Sequence, residues 1–293
     1  MSKVLYMKNY FSLITFSHSV FALPFAFVGY FLAMQQTHID FDVRIFLFVV
    51  LCMLFARSAA MAFNRYLDRD IDAQNPRTAT REIPAGIISP QRALFFVILN
   101  CILFIVSAAS INEMCLLLSP IALIIVLGYS YTKRFTYLCH FILGLGLSLA
   151  PIGAYIAAAD RFNGTACIYS AIVLLWVSGF DIIYALQDDE FDSQHDLFSV
   201  PVRFGRTNAL RISNALHLLC AALMVFVTWH LYNEHSNFYW LHIIGATIFL
   251  AMLFYQHTLI SENNLTKVNR AFFTTNGIAS VIYGSFFVLD YFF

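Results

Sequence analysis

The sequence predicts an all-α integral membrane protein in a single domain that spans residues 1–293. Of these residues 60% are hydrophobic and only 12% are charged, and the mean hydropathy is +0.73. A water-soluble domain carries charge on about a quarter of its residues. The apolar residues come in stretches of about 20, the length at which a helix crosses a bilayer. Alternating strand patterns are absent from the sequence, so helices are expected throughout.

Nine apolar stretches predict nine transmembrane helices. The first stretch contains Pro24 and has no small-residue cleavage site after it, so we interpret it as a retained span rather than a signal peptide. The expected spans are residues 11–35, 43–63, 91–111, 114–131, 137–159, 165–187, 209–232, 238–260 and 270–292.

The basic residues alternate between the two sides of the predicted membrane. Fourteen Lys and Arg residues precede the first span or fall in every second loop, and two, Arg44 and Arg161, fall on the other side. The positive-inside rule then predicts a cytoplasmic N-terminus and active-site loops, with the C-terminus outside, in a bacterial inner membrane. Basic and acidic residues number 17 each, so net charge gives no indication of a nucleic-acid partner.

The first of two acidic motifs follows the second predicted span. Asn64, Asp68 and Asp72 are spaced four residues apart and share one face of the helix if it extends past the membrane. Mg²⁺ binds a few carboxylates together with waters and substrate phosphates. The motif therefore predicts a magnesium site at the cytoplasmic end of this helix.

The second motif repeats the spacing with Asp188, Asp192 and Asp196. A shift of 124 residues superimposes the motifs and places Asp181 on Arg57, each an ionisable residue inside a span. Charged residues within spans are costly and usually functional. We interpret the chain as two pseudo-repeated halves. In each half, an even-numbered predicted helix ends at an acidic site.

Four basic residues are expected at the same membrane face as the acids. Carboxylates hold divalent cations, the cations hold phosphate oxygens, and Arg and Lys bind the oxygens that remain. The combination predicts a diphosphate site at the mouth of a membrane cavity. Its basic members are Arg77, Arg81, Lys133 and Arg134.

These motifs resemble those of the UbiA superfamily of intramembrane prenyltransferases. Residues 64–86, NRYLDRDIDAQNPRTATREIPAG, resemble its NxxxDxxxD and RTxxRPLPxG signature, except that Glu82 and Ile83 replace Pro-Leu. Residues 181–192, DIIYALQDDEFD, are similar to its second motif, YAxxDxxxD. The resemblance covers nearly the whole chain and is closest to the 4-hydroxybenzoate polyprenyltransferases. It implies nine helices around a central cavity that opens to lipid.

The resemblance also implies an activity, the transfer of a prenyl chain from a polyprenyl diphosphate to a small aromatic acceptor. Two Mg²⁺ ions would hold the diphosphate, and the four basic residues would contact its oxygens. The implied metal ligands are Asn64, Asp68 and Asp72 for one ion and Asp188 and Asp192 for the other.

Residues inside the spans provide candidates for acceptor binding and catalysis. Arg57 lies about 10 Å below Asn64 by helix rise and is our candidate for binding the acceptor's carboxylate. An ion pair between Arg57 and Asp181 is the alternative. Tyr129 is expected to line the acceptor pocket. Asp181 and Tyr184 are the further catalytic candidates, with Asp181 orienting or deprotonating the acceptor.

We expect 4-hydroxybenzoate as the acceptor, in quinone biosynthesis. A dihydroxynaphthoate in menaquinone biosynthesis is the alternative, favoured by YALQD and the nearby His195. A porphyrin or chlorophyllide precursor and a glycerol phosphate lipid also remain open. A transporter that uses Arg57 and Asp181 is a distant alternative, because the acids cluster at one face rather than at the midplane. Prenyl length and oligomeric state have no recognisable pattern in the sequence.

Overall fold

The computed structural model describes Leu13, residues 21–234 and residues 240–293, and within these ranges the chain forms helices joined by turns and loops. The helices are α1 (Leu23–Thr37), α2 (Val43–Leu67), α3 (Arg69–Gln74), α4 (Pro90–Ala109), α5 (Glu113–Thr132), α6 (Cys139–Ala159), α7 (Gly164–Ala185), α8 (Asp189–Gln194), α9 (Val200–Glu234), α10 (Leu241–Thr258) and α11 (Asn276–Phe292). A π-helical turn, Arg270–Thr275, leads into α11.

The predicted class, an all-α integral membrane protein, is confirmed. In the part of the chain that the structure describes, eight helices are long and apolar enough to cross a membrane. They correspond to the second to ninth expected spans. The described part of the first span is α1, with 15 residues, and most of residues 11–20 lie outside the described ranges. The count of nine spans therefore stays a prediction.

Polar caps mark where several of these helices begin. The Asp42 carboxylate accepts the Arg44 and Ile45 amides at 2.8 and 3.2 Å at the start of α2, and Asn163 caps α7 in the same way. Such caps satisfy amides that have no partner within the helix.

The seventh expected span, residues 209–232, lies within α9, which is longer than the span at its N-terminal end. Helix α9 begins at Val200, nine residues earlier, because Ser199 caps its first turn and Pro201 is favourable there. Gly205 then interrupts the helix with a φ of 76°, a conformation that suits glycine. The second acidic motif is therefore followed directly by a helix rather than by a long loop.

Small residues bring the central helices close together. A Cβ at Gly144 of α6 would lie 2.5 Å from Ser178 Oγ and 2.7 Å from the Leu174 carbonyl of α7. This approach packs α6 against α7, as small residues do between membrane helices. On the outer surface, large apolar side chains such as Phe95, Ile124 and Phe254 are exposed, as expected for contact with lipid.

Candidate active site

Both acidic motifs lie at a break between a long helix and a six-residue helix. Asp68 has a φ of −87° and a ψ of 2° between α2 and α3, so α2 does not continue straight through the motif as its sequence suggested. Asp188 occupies the same place before α8, with a φ of −114° and a ψ of 3°. The acid four residues further on is Asp72 in the first motif and Asp192 in the second, and its amide donates to the carbonyl of the residue at the break at 2.7 Å.

The structure corrects the register of the pseudo-repeat from 124 to 120 residues. The break positions align Asp68 with Asp188 and Asp72 with Asp192. Residues 68–75, DRDIDAQN, then superimpose on residues 188–195, DDEFDSQH. Asp196, which the first register paired with Asp72, is exposed and has a φ of 52°, whereas Asp72 is buried. The intramembrane residues Arg57 and Asp181 are therefore not equivalent positions.

The first motif forms a buried carboxylate pair surrounded by cations. Asp68 is only 2% exposed and accepts Lys133 Nζ at 2.5 Å and Arg134 Nη2 at 2.7 Å. Asn64 Nδ2 also donates to Asp68 Oδ2, at 3.2 Å. Arg81 Nη1 donates to Asp72 Oδ1 at 2.6 Å. Three of the four basic residues assigned to diphosphate from the sequence thus lie at this motif.

The second motif is tied to the loop that follows the first. Arg77 forms a bidentate ion pair with Asp188, with Nε at 2.8 Å and Nη2 at 2.5 Å from its oxygens. Asn75 Nδ2 donates to Asp188 Oδ1 at 3.1 Å. The sequence interpretation missed Asn75, although the 120-residue register places it opposite His195, directly after the aligned acids. These bonds hold the two helix ends together at one end of the bundle.

Lys133 lies between the two motifs. Besides its ion pair with Asp68, its charge acts on both Asp72 and Asp192. Its backbone carbonyl accepts the Phe198 amide at 2.7 Å, which ties the loop between α5 and α6 to the segment before α9. One ammonium group is therefore placed within reach of three acids from two halves of the chain.

The carboxylates fit a divalent cation. Burial raises the pKa of the Asp72 carboxyl to about 6, with the charge of Asp68 as the next cause. Burial likewise raises the pKa of Asp192 to about 6, with Asp188 next. Asp72 Oδ2 is buried and has no hydrogen-bond partner in the described ranges. Each motif thus contains two carboxylates that repel one another when both are ionised. A bound cation such as Mg²⁺ would relieve this repulsion.

The acids do not form a complete protein cage for a metal. Across the described residues, no three His, Cys, Asp or Glu side chains form a metal-binding group by themselves. Mg²⁺ commonly takes one or two carboxylates and completes its shell with waters and phosphates. The residues present therefore fit a cation that binds together with a diphosphate.

Tyr184 connects the second motif to an aromatic cluster. Its hydroxyl accepts Arg77 Nη1 at 3.2 Å, and its ring lies 4.2 Å from that of Phe272 in the π-helical turn. Asn276 stabilises this turn by donating to the Phe272 carbonyl at 2.8 Å and accepting Trp176 Nε1 at 3.1 Å. Short π-helical segments are frequent at functional sites. Here the segment holds the aromatic platform on which the Tyr184 ring packs.

An apolar cavity of about 280 Å³ lies within the bundle beneath the acids. Helices α2, α4, α5 and α6 supply most of its lining, and on α5 it extends from Tyr129 to Cys115, about 21 Å by helix rise. Ile121 and Phe162 line it and are themselves 55% and 59% exposed. The cavity therefore reaches the apolar outer surface, which a lipid chain requires.

Arg57 is the one charged side chain among the described residues that line this cavity. Its Nε is buried and has no hydrogen-bond partner within the described ranges. Among the described residues Arg57 forms no ion pair with Asp181, whose Oδ2 contacts His140 Nδ1 at 2.7 Å. Tyr129 also lines the cavity, and it lies in electrostatic contact with Arg57, Asp68 and Asp181. The intramembrane candidates therefore converge between the acids and the cavity.

Comparison with known proteins agrees with this geometry. The sequence profile of the UbiA prenyltransferase family matches residues 22–278, which include both acidic motifs and the cavity. The chain belongs to the UbiA prenyltransferase family. It is a membrane-embedded prenyltransferase.

Several UbiA relatives are similar over most of their length. The chain is 30% identical over 242 residues to 4-hydroxybenzoate octaprenyltransferase of Aliivibrio fischeri (strain MJ11), covering 83% of this chain and 82% of that protein. It is 30% identical over 241 residues to the protein of that name from Vibrio cholerae serotype O1 (strain M66-2), covering 82% and 83%.

Solved structures of UbiA homologues share the fold. The apo structure of a homologue from Aeropyrum pernix K1 has a TM-score of 0.82 at 31% identity, covering 93% of this chain and 98% of that one. A homologue from Archaeoglobus fulgidus bound to GPP and Mg²⁺ has a TM-score of 0.76 at 22% identity, covering 97% and 100%. At the latter identity the likeness shows the fold alone.

Replacing Tyr184 by Phe is expected to raise the KM for prenyl diphosphate about fivefold, with a smaller change in kcat. The substitution keeps the ring on Phe272 but removes the hydroxyl that fixes Arg77, a hydrogen bond to a charged group. Steady-state kinetics in detergent measure this change. Tyr137, whose ring packs on Phe204, supplies the matched Tyr-to-Phe control. Equal changes in the two variants would show that the Tyr184 hydroxyl has no special role.

Proposed function

We propose that this UbiA-family enzyme transfers a polyprenyl group from polyprenyl diphosphate to a ring carbon of 4-hydroxybenzoate in quinone biosynthesis, with Mg²⁺ as cofactor. The observation that carries the choice of acceptor is Arg57. It brings a single positive charge to an otherwise apolar cavity, with a nitrogen left unpaired just below the acidic site. A small aromatic acid offers the matching carboxylate and a ring that suits the apolar walls.

Asn64, Asp68 and Asp72 are the proposed ligands of one Mg²⁺, and Asp188 and Asp192 those of the other. When bound, the ions supply neutralisation of the negative charge that develops on the departing diphosphate. Arg77, Arg81, Lys133 and Arg134 contact carboxylates in the structure. We propose that these cations turn to the diphosphate oxygens when the substrate binds, so that no charge is left unpaired.

The cavity has the polarity needed by the prenyl chain. Its apolar lining binds the chain and excludes water from the carbon that reacts. The bond between this carbon and the diphosphate oxygen breaks with both electrons leaving on the oxygen. The electron-rich ring of the acceptor then forms the new carbon–carbon bond, and the ring carbon loses its proton. Water exclusion is needed because an allylic cation would otherwise be hydrolysed.

Arg57, Tyr129 and Asp181 form the proposed acceptor pocket. Arg57 binds the carboxylate of the acceptor, and Tyr129 lies against its ring. Asp181 retains partial exposure, at 21% of its side chain, while His140 holds one of its oxygens. We propose that its other oxygen orients the acceptor's phenolic hydroxyl and accepts a proton, which makes the ring more nucleophilic.

The proposed orientation places these loops on the cytoplasmic side of a bacterial inner membrane, with the C-terminus outside. The fourteen-to-two distribution of basic residues supports this orientation.

Purified enzyme with Mg²⁺ and a polyprenyl diphosphate, offered an equimolar mixture of acceptors, tests the proposal. The mixture contains 4-hydroxybenzoate, a dihydroxynaphthoate and a glycerol phosphate. Mass analysis is expected to find prenylated 4-hydroxybenzoate as the main product and none after addition of a chelator. A main product from the naphthoate would replace the proposed acceptor by the menaquinone alternative, and product formation in excess chelator would contradict the metal requirement.

A further inference from the structure

His140 lies at the first turn of α6, beside the last turns of α7. Its Nδ1 is 2.7 Å from Asp181 Oδ2, and only 4% of its side chain is exposed. The carboxylate it contacts is more exposed, and this carboxylate and Arg57 both interact electrostatically with Tyr129. The histidine is thus enclosed, whereas the acid it contacts is partly exposed and interacts with Tyr129, which lines the cavity.

The second ring nitrogen of His140 fixes which tautomer is present. Its Nε2 lies 3.3 Å from the backbone nitrogen of Val200, and a backbone N–H is a donor. Nε2 must therefore accept, and the ring proton must lie on Nδ1, where it is donated to Asp181. The geometry assigns a neutral imidazole that holds an ionised carboxylate in one orientation.

The same side chain also anchors the segment after the second acidic motif. Val200 begins α9, and two residues earlier the Phe198 amide donates to the Lys133 carbonyl at 2.7 Å. The His140 carbonyl itself accepts Ser178 Oγ at 3.3 Å. One residue therefore connects α7, the start of α9 and, through Phe198, the lysine between the two motifs.

We infer that His140 is a positioning residue with two separable effects. Its Nδ1–H orients Asp181 for the acceptor, and its Nε2 fixes the start of α9 and so the position of Lys133 for the diphosphate. The first effect rests on the role of Asp181 given under Proposed function. The second effect does not depend on that role.

Two substitutions separate the effects because asparagine and glutamine reach different ring positions. In His140→Asn the amide nitrogen takes the place of Nδ1 and donates to Asp181, but Val200 loses its acceptor. In His140→Gln the amide oxygen reaches the place of Nε2 and accepts from Val200, but Asp181 loses its donor. We expect His140→Gln to lower kcat about tenfold with an unchanged KM for prenyl diphosphate. We expect His140→Asn to keep kcat within about twofold and to raise that KM severalfold.

His217 provides the structural control. It is also a buried histidine with two hydrogen-bond partners, His257 Nε2 at 2.7 Å and the Trp176 carbonyl at 3.1 Å. Neither partner is an acidic residue. His217→Asn and His217→Gln are expected to lower the thermal stability in detergent without separating kcat from KM. If the two His140 variants instead change kcat and KM together, in proportion to their loss of stability, the positioning role is overturned.

Asp181→Asn distinguishes failure of the inference from failure of the proposed function. A large loss of kcat in Asp181→Asn, with no further loss in the Asp181→Asn/His140→Gln double variant, supports action of His140 through Asp181. A loss in Asp181→Asn with full kcat in His140→Gln overturns the inference and leaves the role of Asp181 in place. Full kcat in Asp181→Asn overturns that role and, with it, the first effect of His140.

Discussion

Replacing Asp68 by Asn is expected to lower kcat/KM for prenyl diphosphate by about three orders of magnitude. The side chain is 2% exposed, ends the long helix of the first motif and holds both Lys133 and Arg134. Asparagine keeps the volume but loses the negative charge, so the site binds a cation less well and leaves two basic side chains without their anion. Asp192→Asn is expected to have an effect of the same order from the opposite half.

Each of these substitutions has a matched control in the same short helix. Asp70 is two residues after Asp68, but 79% of its side chain is exposed, and among the described residues its ion pair is with Arg69, at 3.5 Å. Asp189 is in the second motif, where its carboxylate binds Arg206 at 2.6 Å rather than the site. Asp70→Asn and Asp189→Asn are expected to keep kcat/KM within about threefold, because these carboxylates pair with Arg69 and Arg206 and not with the basic residues of the site. If Asp68→Asn behaves like Asp70→Asn, the acidic site is misassigned.

Replacing Arg57 by Met is expected to raise the KM for 4-hydroxybenzoate about 30-fold while the KM for prenyl diphosphate stays nearly unchanged. A charge-assisted hydrogen bond contributes about 1.5–3 kcal/mol, which corresponds to roughly a 10- to 100-fold change in affinity. Methionine preserves most of the length and suits the apolar lining, so the cavity keeps its shape. Steady-state kinetics with each substrate varied in turn measure the two effects.

A substrate without the carboxylate provides the sharpest control for Arg57. Phenol retains the hydroxyl and the ring but offers nothing for a guanidinium to bind. Wild type and Arg57→Met are therefore expected to use phenol with similar, low efficiency, and to differ only on 4-hydroxybenzoate. An equal loss on both acceptors, or no loss on either, would remove Arg57 from the acceptor site.

The parts of the fold that repeat a simple physical pattern could be predicted from the sequence. Apolar stretches of membrane length gave the positions of α2, α4 and α10 within a few residues. Oxygen-bearing side chains four residues apart made Asp68, Asp72 and Asp192 candidates, because metal and phosphate chemistry requires such sets, and the structure places these three residues near one another around Lys133. Arg57 could be found since a single arginine in a span is costly unless it has a use.

The sequence could not predict which of these side chains contact one another in the folded protein. The spacing of the acids repeats every four residues, so registers of 124 and 120 both align acids with acids, and the choice between them depends on the helix breaks at Asp68 and Asp188. Asn75 looked like an ordinary loop residue, because its bond to Asp188 depends on how two distant loops meet. The contacts of His140 could not be predicted for the same reason, since nothing in its own helix indicates that it meets Asp181 and Val200.

The central claim is that the two acidic helix ends share divalent cations around one diphosphate. Crystals grown with Mn²⁺ and a non-hydrolysable prenyl diphosphate analogue test it most directly through the anomalous scattering of the metal. The account expects two peaks on either side of the diphosphate, one coordinated by Asp68 and Asp72 and the other by Asp188 and Asp192. A diphosphate bound to one motif alone, or metal peaks away from these carboxylates, would contradict it.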